Sequence, residues 1–276
     1  MKNFINISEI PKNELRKILD SAKLRKEKRK SLEKNALDPD VPLEGKILAM
    51  IFEKPSTRTR ISFDIAVKQL GGKSLTLNPD EIHYGSGGES LHDTAKVLSQ
   101  YADIVMIRTY EHKKVEQFSK YLNIPIINGL TDLSHPCQIM SDIMTFEEMK
   151  GPINNKKIAW VGDGNNVLYS LIEAAVQFNF NLSFACPKGF EPNKKILKWA
   201  KDKKGKILAF TDPKAAADSA DLIMTDKWIS MGSKLDKKNK KKFFKLFQVN
   251  TKIMKLAKKD SIFMHCLPAN RGEEVT

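Results

Sequence analysis

The chain has 276 residues, 41% of them hydrophobic, and a formal net charge of +14. That length suits two domains better than one, and the apolar content is enough for packed cores, which excludes a disordered chain. No apolar run approaches the roughly 18 residues of a membrane-spanning helix, so no spanning helix is expected.

In chain order, the N-terminal "MKNFINISEIPKNELRKILDS" is polar, without the apolar stretch of a signal peptide. Short apolar runs then alternate with helical patterns. Strands are predicted at 46–52, 102–108, 124–129, 157–163, 182–187, 206–211, 221–226 and 261–268. Helices are predicted near 12–30, 57–70, 90–101, 112–121, 136–149, 166–179, 192–203 and 239–257. This alternation predicts an α/β protein whose sheets are mostly parallel and flanked by helices. "KGPINNKK" (150–157) has linker chemistry, which sets the expected domains at 1–150 and 151–276.

The three cysteines, Cys137, Cys186 and Cys266, are widely spaced and form no C-x-x-C. A disulfide framework or a structural metal site is not expected, and reduced thiols fit a cytoplasmic location. The lysines are scattered rather than interleaved with aromatic residues, so the positive charge reads as a solvated surface and not as a nucleic-acid platform. A small anionic substrate would also profit from it.

The unusual polar residues fall at the carboxyl ends of predicted strands, where open parallel sheets bind ligands. "PSTRTRISFDIAVKQLGG" places Ser56 at a helix N-cap and Thr57, Arg58 and Thr59 in the first turn. Free backbone N–H groups, the positive helix end, hydroxyls and guanidinium groups together make a phosphate cradle. Capped helix and solvated arginines are the bland alternative, but cations at that end oppose the helix dipole unless an anion is near. Arg108 ends the strand at 102–108. In "SHPCQ", Pro136 suits a first helical position, which leaves His135 at the cap and Gln138 one turn in. Both can donate to an oxygen that gains negative charge, although His135 as a plain cap is an equal reading. "WVGDGNNV" fails the dinucleotide fingerprint for want of its third glycine, and Asn165 and Asn166 suit a zwitterionic amino acid instead. In "TDKWISMGS", Asp226 and Ser230 can hold an amine and a carboxylate. Cys266 in "MHCLP" is either a core thiol or a site residue.

Together "STRTR" (56–60), Arg108, "HPCQ" (135–138), "DGNN" (163–166), "DKWISMG" (226–232) and "HCLP" (265–268) resemble the aspartate/ornithine carbamoyltransferase family over essentially the whole chain. The last motifs point to its ornithine-using branch. The resemblance implies a carbamoyl-phosphate domain followed by an ornithine domain, with the active site in the cleft between them. It implies that Ser56, Thr57, Arg58, Thr59, Arg108, His135, Gln138, Cys266 and Leu267 bind carbamoyl phosphate. Asn166, Asp226, Ser230 and Met231 bind ornithine, while Arg58, Arg108, His135, Asp226 and Cys266 carry the chemistry. The loop "DEIHYGSGGES" (80–90) implies His83 as a donor to a neighbouring subunit's site, in a homo-oligomer that is commonly a trimer. No metal, organic cofactor, nucleic acid or membrane is implied. The family pattern continues beyond "HCLPANRGEEVT" with a further substrate-facing arginine and a closing helix, so the second domain is expected to lack that helix. Two alternatives stay open: another amine acceptor, such as putrescine or acetylornithine, and a catalytically impaired binding or assembly subunit.

Overall fold

The computed structural model describes residues 3–78, 88–228 and 237–276, with the backbone alone for 237–240. The chain divides into two compact units, Met1–Cys137 and Gln138–Thr276. His83, Ser230 and Met231 lie outside the described residues.

The first unit runs α1 (Lys12–Lys28), β1 (Ile47–Phe52), α2 (Thr57–Gln69), β2 (Lys73–Leu77), α3 (Leu91–Tyr101), β3 (Ile104–Arg108), α4 (His112–Tyr121) and β4 (Ile126–Leu130), and α5 (Pro136–Lys150) begins within it. Its sheet has the order β2-β1-β3-β4 and is parallel throughout. Side chains alternate between its faces. Ala49, Ile51, Val105 and Ile107 pack with Ala95, Leu98, Val115 and Phe118 of α3 and α4. Leu48, Met50, Phe52 and Met106 pack with Val67 of α2. Burial on both faces explains why β1 and β3 read as unbroken apolar runs. Each fully buried large side chain contributes about 1.5–3 kcal/mol.

The second unit runs β5 (Lys157–Val161), α6 (Asn166–Phe178), β6 (Asn181–Ala185), α7 (Lys194–Asp202), β7 (Ile207–Phe210), α8 (Pro213–Ala217), β8 (Leu222–Thr225), α9 (Lys237–Phe244), α10 (Thr251–Met254) and β9 (Ile262–His265). Its sheet, β7-β6-β5-β8-β9, is again all parallel. Ala159, Val161, Ala185 and Ile223 pack with Ala216, Ala217, Phe247 and Ile253. Most of α6 is buried, and Asn179 ends it in the left-handed conformation at φ 54°, a cap that asparagine tolerates well.

Three sequence expectations need correction. β2 was not predicted: it is an edge strand of alternating, partly exposed residues directly after a Gly-Gly helix stop. The short helix α8 was not predicted either. The single helix expected at 239–257 is broken into α9, a short 3₁₀ turn and α10. There the Val249 N–H donates to the Glu274 carbonyl at 2.9 Å, and the Asn250 side chain restarts the helix by accepting from Lys252 and Ile253. An apolar spacing that fits one helix therefore spans two short ones.

Candidate active site

In each sheet the chain order reverses at one point, between β1 and β3 in the first unit and between β5 and β8 in the second. Crevices beyond the carboxyl ends of strands at such points are where α/β sheets bind ligands. In each unit a side-chain hydrogen bond joins two of the unusual polar residues across the reversal point.

In the first unit that bond joins Arg108 and Thr59. Ser56 caps α2, its hydroxyl accepting from the Thr59 N–H at 3.2 Å. This leaves Thr57, Arg58 and Arg60 exposed around the first turn. Arg108, the last residue of β3, reaches over and donates from Nη1 to Thr59 Oγ1 at 2.9 Å. Lys54, which the sequence reading did not single out, is buried with its ammonium 4.2 Å from the centre of the Tyr110 ring. Burial first, and Arg108 second, hold the Lys54 ammonium below its ordinary range, against the pull of Asp132. His135 is half-buried immediately before α5. Burial, then Arg108 and Lys54, push its imidazole down to about 3, so it is neutral at physiological pH. The half-site is thus a helix N-terminus with hydroxyls, several cations and a neutral imidazole, which is chemistry for a phosphate ester with a polarisable carbonyl.

In the second unit the crossing bond joins Asn165 and Asp226. β5 leads into Gly162 at φ 138°, where an added Cβ would lie 3.1 Å from Thr225 Oγ1. At Gly164 a Cβ would come within 2.5 Å of the Phe190 carbonyl. These glycines serve a tight turn and a close approach rather than a dinucleotide cradle. Asn165 works at both ends of its amide. Its Oδ1 accepts from Val167 and Leu168 at 3.0 and 3.3 Å and starts α6, while its Nδ2 donates to Asp226 Oδ2 at 2.7 Å. Asp226, just past β8, also accepts at Oδ1 from the Lys227 N–H at 2.7 Å and from the Cys266 thiol at 3.0 Å. Burial and Asp226 raise the Cys266 pKa, so the residue is a thiol donor and not a thiolate nucleophile. Asn166 opens α6 beside this cluster in sequence. Asp142 of α5 is a third member that the sequence reading missed: it bears electrostatically on both Asp226 and Cys266 and accepts from Gln138 at 2.9 Å.

After β9 the chain turns sharply. Leu267 is left-handed at φ 54° and half exposed, an uncommon conformation for a bulky residue. Its N–H donates to His265 Nδ1 at 2.8 Å, which leaves the ring proton on Nε2, 3.3 Å from the buried Glu274 carboxylate. One donor atom each of Asp226, His265 and Cys266 lies within 4.8 Å of the others. Both ring nitrogens of His265 and the Cys266 thiol are already engaged in these internal hydrogen bonds.

Two parallel α/β units in sequence, with a cation-rich helix N-terminus at the first reversal point and a carboxylate–thiol cluster at the second, have the architecture of a group-transfer enzyme. The chain matches the family models for the carbamoyl-phosphate-binding domain over residues 2–148 and for the Asp/Orn-binding domain over residues 154–276, and it belongs to the aspartate/ornithine carbamoyltransferase family. Among its relatives, the ornithine carbamoyltransferase of Brucella ovis is 50% identical, over all of this chain and 86% of the relative. That of Mesorhizobium japonicum is 49% identical, over all of this chain and 89% of the relative. Among solved structures, ornithine carbamoyltransferase from Pyrococcus furiosus superposes with a TM-score of 0.93 at 45% identity, covering all of this chain and 87% of that one. The anabolic enzyme from Campylobacter jejuni gives 0.88 at 36% identity, covering all of this chain and 89% of that one.

Proposed function

We propose that the chain transfers the carbamoyl group of carbamoyl phosphate to the δ-amine of L-ornithine, giving L-citrulline and phosphate. The observation that carries this is the pairing of two unlike half-sites on one chain, each at its sheet's reversal point. One has the chemistry of a carbamoyl phosphate site, the other that of an amino-acid amine site. The relatives named for ornithine favour this acceptor over putrescine or acetylornithine, and turnover over a binding-only role.

In this reading Ser56, Thr57, Arg58 and Thr59 bind the phosphate. Arg108, His135 and Gln138 bind the phosphate and carbamoyl group, with Leu267 and Cys266 beside the carbamoyl amide. Asn166, Asp226, Ser230 and Met231 bind ornithine. Asp226, held by Asn165 and Cys266, accepts from the δ-amine and aims its lone pair at the carbonyl carbon. The carbonyl oxygen takes up negative charge, and Arg58, Arg108 and neutral His135 stabilise it. The C–O bond to phosphate then breaks, phosphate leaves with the bonding electrons, and the surplus amine proton passes to a phosphate oxygen. Carbamoyl phosphate is already activated, so the reaction needs neither metal nor organic cofactor.

We further read the chain as a subunit of a homo-oligomer, a trimer with His83 reaching a neighbour's site. Ile61 and Ile65, one turn apart on α2, form an exposed apolar strip, which supports a covered face there. The three cysteines, none in a disulfide, support a cytoplasmic setting, and no helix among the described residues is long and apolar enough to cross a membrane. The test is citrulline formation by the purified chain from carbamoyl phosphate and ornithine, beside putrescine, aspartate and acetylornithine. Product from ornithine alone is expected, and Arg58→Gly should lower turnover by about 10²–10³-fold. Full activity of that variant would remove the cradle from the mechanism.

A further inference from the structure

We propose that Asp142 is a positioning residue that fixes which end of the Gln138 carboxamide meets the ligand, and so selects a ligand presenting an N–H donor at that point. The proposal rests on the reading that Gln138 contacts the carbamoyl group.

The two residues stand one turn apart on α5, and Gln138 Nε2 donates to Asp142 Oδ1 at 2.9 Å. Asp142 is buried, and its second oxygen, Oδ2, has no hydrogen-bond partner among the described residues. A carboxyl oxygen that bears no proton accepts hydrogen bonds and donates none. Opposite such an atom, Gln138 must turn its NH2 inward and its carbonyl oxygen outward. The reverse orientation would set oxygen against oxygen. A proton on Oδ2 leaves this lock intact, and only a proton on Oδ1, facing Gln138, would release it. A primary amide on an exposed helix face presents either end to its surroundings, whereas this one presents an acceptor. The carbamoyl group carries NH2, and its carbonyl oxygen is provided for by arginine and imidazole donors. A Gln138 held with its oxygen outward matches the NH2.

The groups that bear on Asp142 are Gln138, Asp226 and Cys266. Burial, with Asp226 adding and Gln138 opposing, raises the Asp142 pKa to about 7. The carboxyl is therefore half ionised near neutrality, and the ionised form locks the amide in either arrangement of its oxygens.

The test measures binding to the full chain by calorimetry at about pH 8. The probes are inorganic phosphate and a phosphonate analogue of carbamoyl phosphate in which a methylene replaces the bridging oxygen and the carboxamide is kept. Asp142→Asn has the same shape and can face Gln138 with either oxygen or nitrogen, so both amide orientations become available. Asp142→Asn is expected to weaken the analogue about tenfold, equivalent to ~1.4 kcal/mol, and to leave phosphate affinity unchanged. In a Gln138→Ala background the same change should cost nothing further. A loss that persists in that background, an equal loss for phosphate, or no loss would each overturn the proposal. A second measurement leaves position 142 intact. The side-chain NH2 of Gln138, assigned through Gln138→Ala, should show one proton shifted downfield and slow to exchange because it is bonded to Asp142, and two freely exchanging protons with ordinary shifts would overturn the lock. If the unaltered chain bound neither probe, the carbamoyl phosphate reading would fall with it. If it bound both while Asp142→Asn behaved like the unaltered chain, only the lock would fall.

Discussion

Asn165→Asp separates the two jobs of one side chain. The new carboxylate keeps an acceptor for the Val167 and Leu168 N–H groups, so the α6 cap survives. Negative charge at a helix start even favours it by about 0.3–1 kcal/mol. What is lost is the donor to Asp226, now held at 2.7 Å. A hydrogen bond to a charged group contributes about 1.5–3 kcal/mol. Two carboxylates at that spacing repel while both are ionised, and the pair takes up a shared proton more readily than a lone carboxylate as pH falls. We expect a loss of ~3 kcal/mol in transition-state stabilisation, or about 10²-fold in kcat/KM for ornithine at about pH 8. The deficit should shrink toward about pH 6, where a shared proton restores an O–H donor between the two acids. The melting temperature should stay within a few degrees. Asn165→Ala should instead lose the cap as well, costing about 1 kcal/mol of stability. Steady-state citrulline assays with ornithine varied, beside circular dichroism melts, read both quantities. If Asn165→Asp kept kcat/KM within about threefold of the unaltered chain, less than ~0.7 kcal/mol, the claim that Asn165 holds the reacting acid would be wrong.

Asp142 gives a stability prediction with a definite sign. Its folded pKa is raised to about 7 from an ordinary 3.8. Its contribution is therefore fully present below about 3.8 and is lost as pH rises through 7. Urea unfolding should find Asp142→Asn more stable than the unaltered chain at about pH 8, with the advantage vanishing toward about pH 5. Asp38 is buried and ion-paired with both Arg25 and Arg29 at 2.7 and 2.5 Å. Asp38→Ala takes the carboxylate from Arg29, while Arg25 keeps Asp40 at 2.8 Å, and should destabilise by about 1–3 kcal/mol, less than a fully buried pair because the arginines keep some solvent. Cys266, with its raised pKa, should react with iodoacetamide far more slowly than free cysteine at about pH 8, as mass spectrometry of the labelled peptide would show. Rapid labelling would contradict a thiol hydrogen-bonded to Asp226.

The strands of both sheet centres were legible because a parallel strand covered on two faces has to be apolar along its length, as "ILAMIF" and "KIAWV" are. β2 was not, because an edge strand such as "KSLTL" needs only one covered face and resembles a loop. Ser56 and Pro136 declared their helix starts through local chemistry. Asn165 as the holder of Asp226 was hidden by their separation of 61 positions, which only the sheet order closes. Asp142 is different, since its four-residue spacing from Gln138 on a predicted helix was visible all along. It was missed because a carboxylate in such a pair usually lies in solvent, and only the fold shows that this one is buried.

The helix α2 carries the cradle of Ser56–Thr59 at one end and the apolar stripe of Ile61 and Ile65 along its flank. A rigid rod of thirteen residues does not shift one without the other. A partner that covered the stripe and turned the helix would change the angle of the first turn, and occupancy at the two places would then be thermodynamically linked, each changing the other's affinity by the same factor. Dilution and phosphate concentration would become coupled variables, so that a change in the grip on the anion showed as a change in the grip on the partner.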